Sequence, residues 1–284
     1  MGPELVGLIL LGLATSQASE YWVLPDKVRQ AASQTMGLPV GERISAISYE
    51  MRGKKYITDP IGEGVFPDTD PMFRYDAYDC LTFVEEVLGL AMATEPSSSG
   101  LIRNQLRYAG SSVTYKGRNH FMVPQWLPNS IDSGLLVDIT DTLGPTKTIT
   151  KNWTPRIWRK WRRRHKFSLE SNEFPLGRHS ITVLPLDTAL SVVRKIPEGA
   201  IVLVVRTNNR HNPIMITHLG FLVYKRNKPL LRHATKMGEG MVRDESIYWY
   251  LNHLKTFKWR VAGVAIFMPR EQGPVKRISG VPEN

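Results

Sequence analysis

The sequence predicts an α+β fold in which helices come first and a largely antiparallel sheet follows. In the amino-terminal half, apolar residues recur every three or four positions, as on the buried face of a helix. In the carboxyl-terminal half, short apolar runs are bounded by turn formers, which is typical of strands. Of the 284 residues, 42% are hydrophobic and 22% are charged. This composition excludes disordered, collagen-like and multi-span membrane proteins.

The amino terminus has the pattern of a secretory leader. Residues 5–14 (LVGLILLGLA) are apolar and uncharged, too few for an ordinary membrane-spanning helix, and small polar residues follow them. We therefore expect residues 1–18 to be a signal peptide, cleaved after Ala18, and residues 19–284 to form one elaborated domain. The protein would then be exported, to the periplasm or outside the cell. Because no Lys or Arg precedes the apolar run, a buried amino-terminal helix is the alternative.

The helical elements belong mainly to the first half of the chain. Apolar spacing predicts helix over residues 24–50, over 81–91 and over 100–109, and again over 244–255 near the end. Residues 54–79, rich in Pro, Gly and Asp, predict an irregular loop.

Four segments of the second half predict strands. They are residues 200–205, 218–224, 230–234 and 261–267. The second and third follow each other closely enough to pair as antiparallel neighbours.

Cys80 is the chain's one cysteine, so no internal disulfide can form. It follows Asp79 and begins a predicted helix, where unpaired backbone N–H groups and the positive end of the helix dipole favour a thiolate. A thiolate attacks carbonyl carbon. The alternative is a buried structural thiol, since free cysteines are often buried.

Two histidines lie on the predicted neighbouring strands. His218 and His233 can share one face of the sheet and approach to hydrogen-bonding distance, roughly 3 Å. An imidazole that holds the thiol proton and a second group that orients it are what a cysteine nucleophile requires. No His-Glu-x-x-His or His-x-His pattern occurs among the seven histidines, so we expect no zinc site.

Several blocks, in this order, carry a resemblance to a known family. Asp79-Cys80 at a helix start, with residues 198–202 (EGAIV), 218–221 (HLGF) and 231–235 (LRHAT), resembles the NlpC/P60 cysteine-peptidase superfamily. Within it, residues 75–85 (YDAYDCLTFVE) resemble the DUF1460 amidase branch. Residues 115–121 (YKGRNHF), followed by Trp126 and Asn129, are similar to a second block of that branch.

The resemblance implies a fold, an activity and a set of residue roles. The fold would be papain-like, with the nucleophile's helix packed on a small antiparallel sheet and with extra helical and loop insertions. Cys80 would be the nucleophile, His218 the general base and then acid, and His233 the group that orients it. The substrates would be peptidoglycan fragments, cleaved between N-acetylmuramic acid and L-alanine with a preference for anhydro-muropeptides, and no cofactor would be needed.

The resemblance also implies substrate contacts. Asp79, with Tyr78 beside it, would help to hold the substrate, and Arg118 and His120 would line the cleft. A structural role for His120 is the alternative. Leu81 stands where many relatives have Ser, which leaves the scissile bond open. An L-alanyl-γ-D-glutamyl endopeptidase and a lipid amide hydrolase or acyltransferase on the same scaffold are the enzymatic alternatives.

The chain is basic, with a formal net charge of +11, and it has one strongly basic segment. Residues 151–166 (KNWTPRIWRKWRRRHK) hold eight Lys or Arg and three Trp, and predict a helix from Pro155 with Trp158 and Trp161 on one face. One interpretation is adhesion to an anionic membrane surface with Trp at the interface. The other is a basic surface helix whose Trp side chains pack inward. An exported chain is not expected to bind nucleic acid, and a non-enzymatic binder of anionic surfaces is the remaining alternative.

Overall fold

The structure is a computed structural model that describes residues 22–110, 112–207 and 212–271. The predicted signal peptide, residues 1–18, lies outside the described residues. The α-helices of these ranges are α1 (Asp26–Gln34), α2 (Val40–Glu50), α3 (Cys80–Met92), α4 (Ser99–Arg107), α5 (Leu127–Asp132), α6 (Thr140–Leu143), α7 (Pro155–Lys160), α8 (Leu186–Val192) and α9 (Ile247–Leu254). The strands are β1 (Lys55–Tyr56), β2 (Ala77–Tyr78), β3 (Leu136–Asp138), β4 (Lys147–Trp153), β5 (Gly177–Val183), β6 (Ile201–Arg206), β7 (Ile216–Lys225), β8 (Lys228–Thr235), β9 (Met241–Ser246) and β10 (Val261–Pro269).

The main sheet has eight strands in the order β2-β1-β9-β8-β7-β6-β10-β3. All neighbouring pairs are antiparallel except β1 and β2, which are parallel. Strands β4 and β5 form a separate antiparallel pair. The predicted α+β class is confirmed, but the sheet is larger than the small sheet that the resemblance implied.

Helices cover both faces of the main sheet. Helices α1 to α4 and one face of β7 and β8 form the first core, which includes Phe83, Phe221 and Ala234. Helices α8 and α9 and the opposite face form the second core, which includes Leu222 and Leu231. No helix of the described ranges has the length and apolar character that crossing a membrane requires.

Helix α3 is buried on nearly every side, and its two carboxylates are matched by arginines of α4. Arg107 donates to Glu85 at 3.0 and 2.8 Å, and Arg103 donates to Glu86 at 2.7 Å. The indole N–H of Trp126 also donates to Glu85, at 3.0 Å. Removing one partner of a buried pair leaves an uncompensated charge, so these contacts fix how α3, and Cys80 at its start, sit in the fold.

Most of the predicted elements are present, and the others need correction. The helices over 81–91 and 100–109 and all four strands are confirmed. The helix over 24–50 is two helices, because Pro39 adopts an extended conformation before α2. The helix over 244–255 begins only at Ile247, because residues 241–246 pair with β8 as β9. The predicted loop 54–79 contains the two short strands β1 and β2.

The basic segment is less helical than predicted. Helix α7 has six residues and ends at Lys160, so Trp161 follows it. The tryptophans of the segment are buried in an aromatic cluster with phenylalanines: Phe121, Trp153, Trp158, Trp161 and Phe174. The interpretation with Trp at a membrane interface is therefore wrong, and the inward packing is confirmed. Adhesion through the exposed cations alone stays a prediction.

Candidate active site

Asp79 caps helix α3 and so places Cys80 at its first position. One carboxylate oxygen accepts the backbone N–H groups of Leu81 at 3.1 Å and Thr82 at 2.8 Å, while the Thr82 hydroxyl accepts the Asp79 N–H at 2.9 Å. The other oxygen accepts the N–H of Asp59 at 3.3 Å. Asp79 was expected to hold substrate. Its observed contacts instead build the helix start.

The Cys80 sulfur is half-buried, and three backbone N–H groups act to lower its pKa. Those of Cys80 and Leu81 belong to the helix start, and that of Leu219 belongs to β7, one residue beyond His218. These donors favour the thiolate. Burial opposes them more strongly, and with the negative charge of Asp79 it raises the pKa of Cys80 to about 12. The resting form is therefore a thiol, and the expectation of a resting thiolate is corrected.

The two predicted imidazoles touch. His218 Nε2 and His233 Nδ1 are 2.6 Å apart, and the ring planes are nearly perpendicular, at 82°. Burial lowers the pKa of His218 to about 4. Burial, and after it the charges of His218 and Arg243, lower the pKa of His233 to about 2. Both rings are therefore neutral near pH 7, so one donates and the other accepts.

Two local features of β7 position His218. An extra residue, Thr217, bulges between the pairs Val205–Ile216 and Val204–His218, and a bulge re-aims the side chains beside it. Gly220 then lies against β8. A Cβ there would stand 2.7 Å from both the carbonyl oxygen of Arg232 and the Cβ of His233. Only glycine lets the two strands approach closely enough for the imidazoles to meet.

Two tyrosines that the sequence analysis did not single out complete the surroundings. The ring centroid of Tyr250 lies 5.3 Å from that of His233 and 6.0 Å from that of His218. Burial raises the pKa values of Tyr250 and Tyr56, and a thiolate at Cys80, once formed, raises them further. Both phenols therefore lie near the sulfur and stay protonated. Tyr250 was part of an apolar helical pattern and Tyr56 part of a predicted loop, so no sequence signal marked either one.

Two other side chains that were predicted to contact substrate already have partners within the protein. Tyr78 is 2% exposed and packs against Phe83 in the core, so a bound substrate cannot reach its side chain, and this prediction is wrong. Arg118 donates to Glu63 at 2.8 and 2.6 Å and to Asp68 at 2.8 Å. Those two acids already pair its guanidinium.

His120 has a structural role, which was the alternative to its predicted place in the substrate cleft. Its Nε2 lies 2.7 Å from the carbonyl oxygen of Tyr115, and its ring packs between Tyr115 and Phe167. Burial lowers the pKa of His120 to about 4. The neutral ring therefore donates its proton to that carbonyl.

The site can carry out acyl transfer. A thiol nucleophile, a neutral imidazole as base, a second imidazole that orients the first, and N–H donors around the sulfur are the groups that this chemistry uses. Within the described ranges, no group of three or more His, Cys, Asp or Glu side chains is arranged to hold a metal ion.

Comparisons with known proteins identify a family and related folds. The family model AmiA-like, described as N-acetylmuramoyl-L-alanine amidase-like, matches residues 46–257. A Legionella pneumophila protein of family DUF1460 is 24% identical and superimposes with a TM-score of 0.74, over 85% of this chain and 93% of its own. An N-acetylmuramoyl-L-alanine amidase from Bacteroides uniformis is 18% identical with a TM-score of 0.66, over 81% of this chain and 99% of its own. These likenesses show a shared fold. No curated protein matches this chain.

Proposed function

The chain belongs to the AmiA-like family, and from that premise we propose that it is a cysteine-dependent amidase that hydrolyses the N-acetylmuramoyl-L-alanine bond of peptidoglycan fragments. The observation that carries the proposal is the 2.6 Å contact between His218 on β7 and His233 on β8; Leu219, whose backbone N–H acts to lower the pKa of Cys80, directly follows His218. The family and the name of the Bacteroides uniformis relative supply the substrate class. We place the chain in the NlpC/P60 superfamily on its sequence blocks.

The tautomers follow from the hydrogen bond. To act as base, His218 must keep one ring nitrogen free, so Nε2 carries the proton and donates it to Nδ1 of His233. Nδ1 of His218 then receives the thiol proton as Cys80 attacks. His233 fixes the ring orientation and stabilises the imidazolium that forms.

The attack is on the lactyl carbonyl of the muramic acid. The Cys80 sulfur bonds to the carbonyl carbon, and the oxyanion is stabilised by the backbone N–H of Cys80 and by the protonated phenol of Tyr56. His218 gives its proton to the departing nitrogen of L-alanine, and the C–N bond breaks to leave a thioester. Water then attacks the thioester with His218 as base, which releases the sugar acid and restores the thiol.

A raised pKa of the Cys80 thiol is compatible with these reaction steps. Because Cys80 and His218 are both neutral at rest, the proton moves during the attack rather than before it. General-base catalysis of this kind contributes about 10²–10⁴-fold to a rate. We further propose that the enzyme acts in the periplasm or outside the cell, on the evidence of the predicted signal peptide.

The test is a digestion of anhydro-muropeptides by the wild-type protein and by Cys80→Ala, followed by mass spectrometry. We expect the wild-type protein to release sugar-free peptides that begin with L-alanine, and Cys80→Ala to release none while keeping the same circular dichroism spectrum. Ser97→Ala, a control at an exposed position, should keep full activity.

The products separate the alternatives. A sugar-bearing L-alanine product would identify an L-alanyl-γ-D-glutamyl endopeptidase instead. Turnover of fatty amides but not of muropeptides would identify a lipid amide hydrolase. Unchanged muropeptide cleavage by folded Cys80→Ala would overturn the mechanism.

A further inference from the structure

A basic cleft opens beside the start of β7 and is separate from the thiol and the two imidazoles. Its volume is about 860 Å³. Cations and tryptophans form much of its wall: Lys160, Trp161, Arg162, Arg163, Arg206 and Trp259. We call this the basic cleft. It is where the strongly basic segment of the sequence meets the sheet.

The basic cleft carries positive charge without a matching acid. None of its described lining residues is acidic, and no ion pair joins Lys160, Arg162 or Arg163 to an acid in the described part of the chain. Arg206 is half-buried, and its Nε has no hydrogen-bond partner among the described residues. Its guanidinium lies 5.5 Å from the ring centre of Trp259.

A second cation lies close to Arg206. Lys151 is 3% exposed, and burial together with the charge of Arg206 lowers its pKa to about 8. Holding two cations near each other in a partly desolvated place is unfavourable. An anionic ligand in the basic cleft would give the Nε of Arg206 a partner and offset the positive charge of the cleft's lining residues.

The basic cleft begins close to the nucleophile. Thr217 lines it, and Leu219, whose backbone N–H acts to lower the pKa of Cys80, is two residues further along β7. Two residues of a strand span roughly 7 Å. When Cys80 attacks a substrate, the groups one or two residues from the scissile bond can therefore reach the basic cleft.

The two sides of the scissile bond differ in charge. The sugar side of a muropeptide is neutral once the lactyl carboxyl is an amide. On the peptide side, the γ-linkage of D-glutamate leaves an α-carboxylate free one residue after L-alanine. We propose that the basic cleft is the subsite for the acidic stem peptide and that Arg162, Arg163 and Arg206 receive its carboxylates, an inference that rests on the proposed function. Arginine suits this role because its planar fork pairs with a carboxylate through two parallel hydrogen bonds.

The test is direct binding of two peptides that differ by one charge. L-alanyl-γ-D-glutamyl-L-lysine keeps the α-carboxylate, and the same peptide with D-isoglutamine has an amide there. Calorimetry with the wild-type protein should show at least about tenfold weaker binding of the amidated peptide, since hydrogen bonds to charged groups contribute that much. The double variant Arg162→Glu/Arg163→Glu should lose the preference.

A matched control is the double variant Lys195→Glu/Lys228→Glu, which changes the net charge equally at exposed positions away from the basic cleft. It should bind the acidic peptide within about twofold of the wild-type protein. Equal affinity for the two peptides, or equal losses in the two double variants, would overturn the proposal. Because this assay measures binding and not turnover, its outcome is independent of whether Cys80→Ala abolishes cleavage.

Discussion

Gly220 offers the sharpest test of how the fold positions the two imidazoles. In Gly220→Ala, the new Cβ would stand 2.7 Å from the Arg232 carbonyl oxygen and from the His233 Cβ. Ordinary contacts of a Cβ begin near 3.4 Å, so β8 must retreat by about 0.7 Å. His233 moves with β8, and the 2.6 Å contact that orients His218 opens.

A displacement of this order at a catalytic group lowers a rate by about 10²-fold. We therefore expect kcat on anhydro-muropeptides to fall about 100-fold in Gly220→Ala while KM changes little, because substrate contacts are untouched. Overpacking should lower the free energy of unfolding by about 1–3 kcal/mol, measured by urea denaturation.

Gly37→Ala is the matched control. No atom lies within 4 Å of a Cβ at Gly37, so this variant should keep both its activity and its stability. A folded Gly220→Ala protein whose kcat stays within about threefold of the wild-type value would refute the reasoning that Gly220 sets the distance between His218 and His233.

The other predictions concern the thiol, the buried imidazole and the aromatic cluster. The rate of Cys80 alkylation by iodoacetamide, followed by mass spectrometry, should increase about tenfold per pH unit from pH 7 to 9, because burial and Asp79 raise the pKa of Cys80 to about 12. A rate that stops increasing below pH 8 would contradict this. The pKa of His233 is about 2 in the folded protein and 6.5 unfolded, so the unfolded chain binds the proton first and stability is lost as pH falls below 6.5. In urea denaturation, this residue should lower the free energy of unfolding by about 2 kcal/mol at pH 5 relative to pH 7. His233→Asn should lack that part of the pH dependence. Trp158→Ala should lower the free energy of unfolding by about 3–5 kcal/mol, because Trp158 is buried. The control Arg159→Ala, at the exposed neighbouring position, should lower it by less than about 0.5 kcal/mol. Equal effects of the two substitutions would place Trp158 outside the core.

Local sequence patterns were sufficient to predict the helix that begins at Cys80 and the central strands of the sheet. Asp79, Thr82 and the apolar spacing after Cys80 all act within a few residues, so α3 and its start are readable from the chain alone. Strands β7 and β8 are separated by a two-residue turn, and for that reason His218 and His233 could be expected side by side.

The tertiary structure decided what depends on distant partners. Residues 241–246 form a strand because β8 offers its free edge, and Tyr56 and Tyr250 lie near enough to Cys80 to interact with its charge although they belong to other elements of the chain. The thiol pKa likewise depends on burial, which the helix start alone does not reveal.

The basic segment shows the same division. Its charge and its tryptophans were evident in the sequence, but the direction of each side chain was not. Packing against Phe121 and Phe174 turns the Trp side chains inward and leaves Arg162 and Arg163 at the basic cleft. Short-range propensity fixes a helix start or a strand. Which groups meet across the fold follows from burying apolar surface, and that is settled only when the whole chain packs.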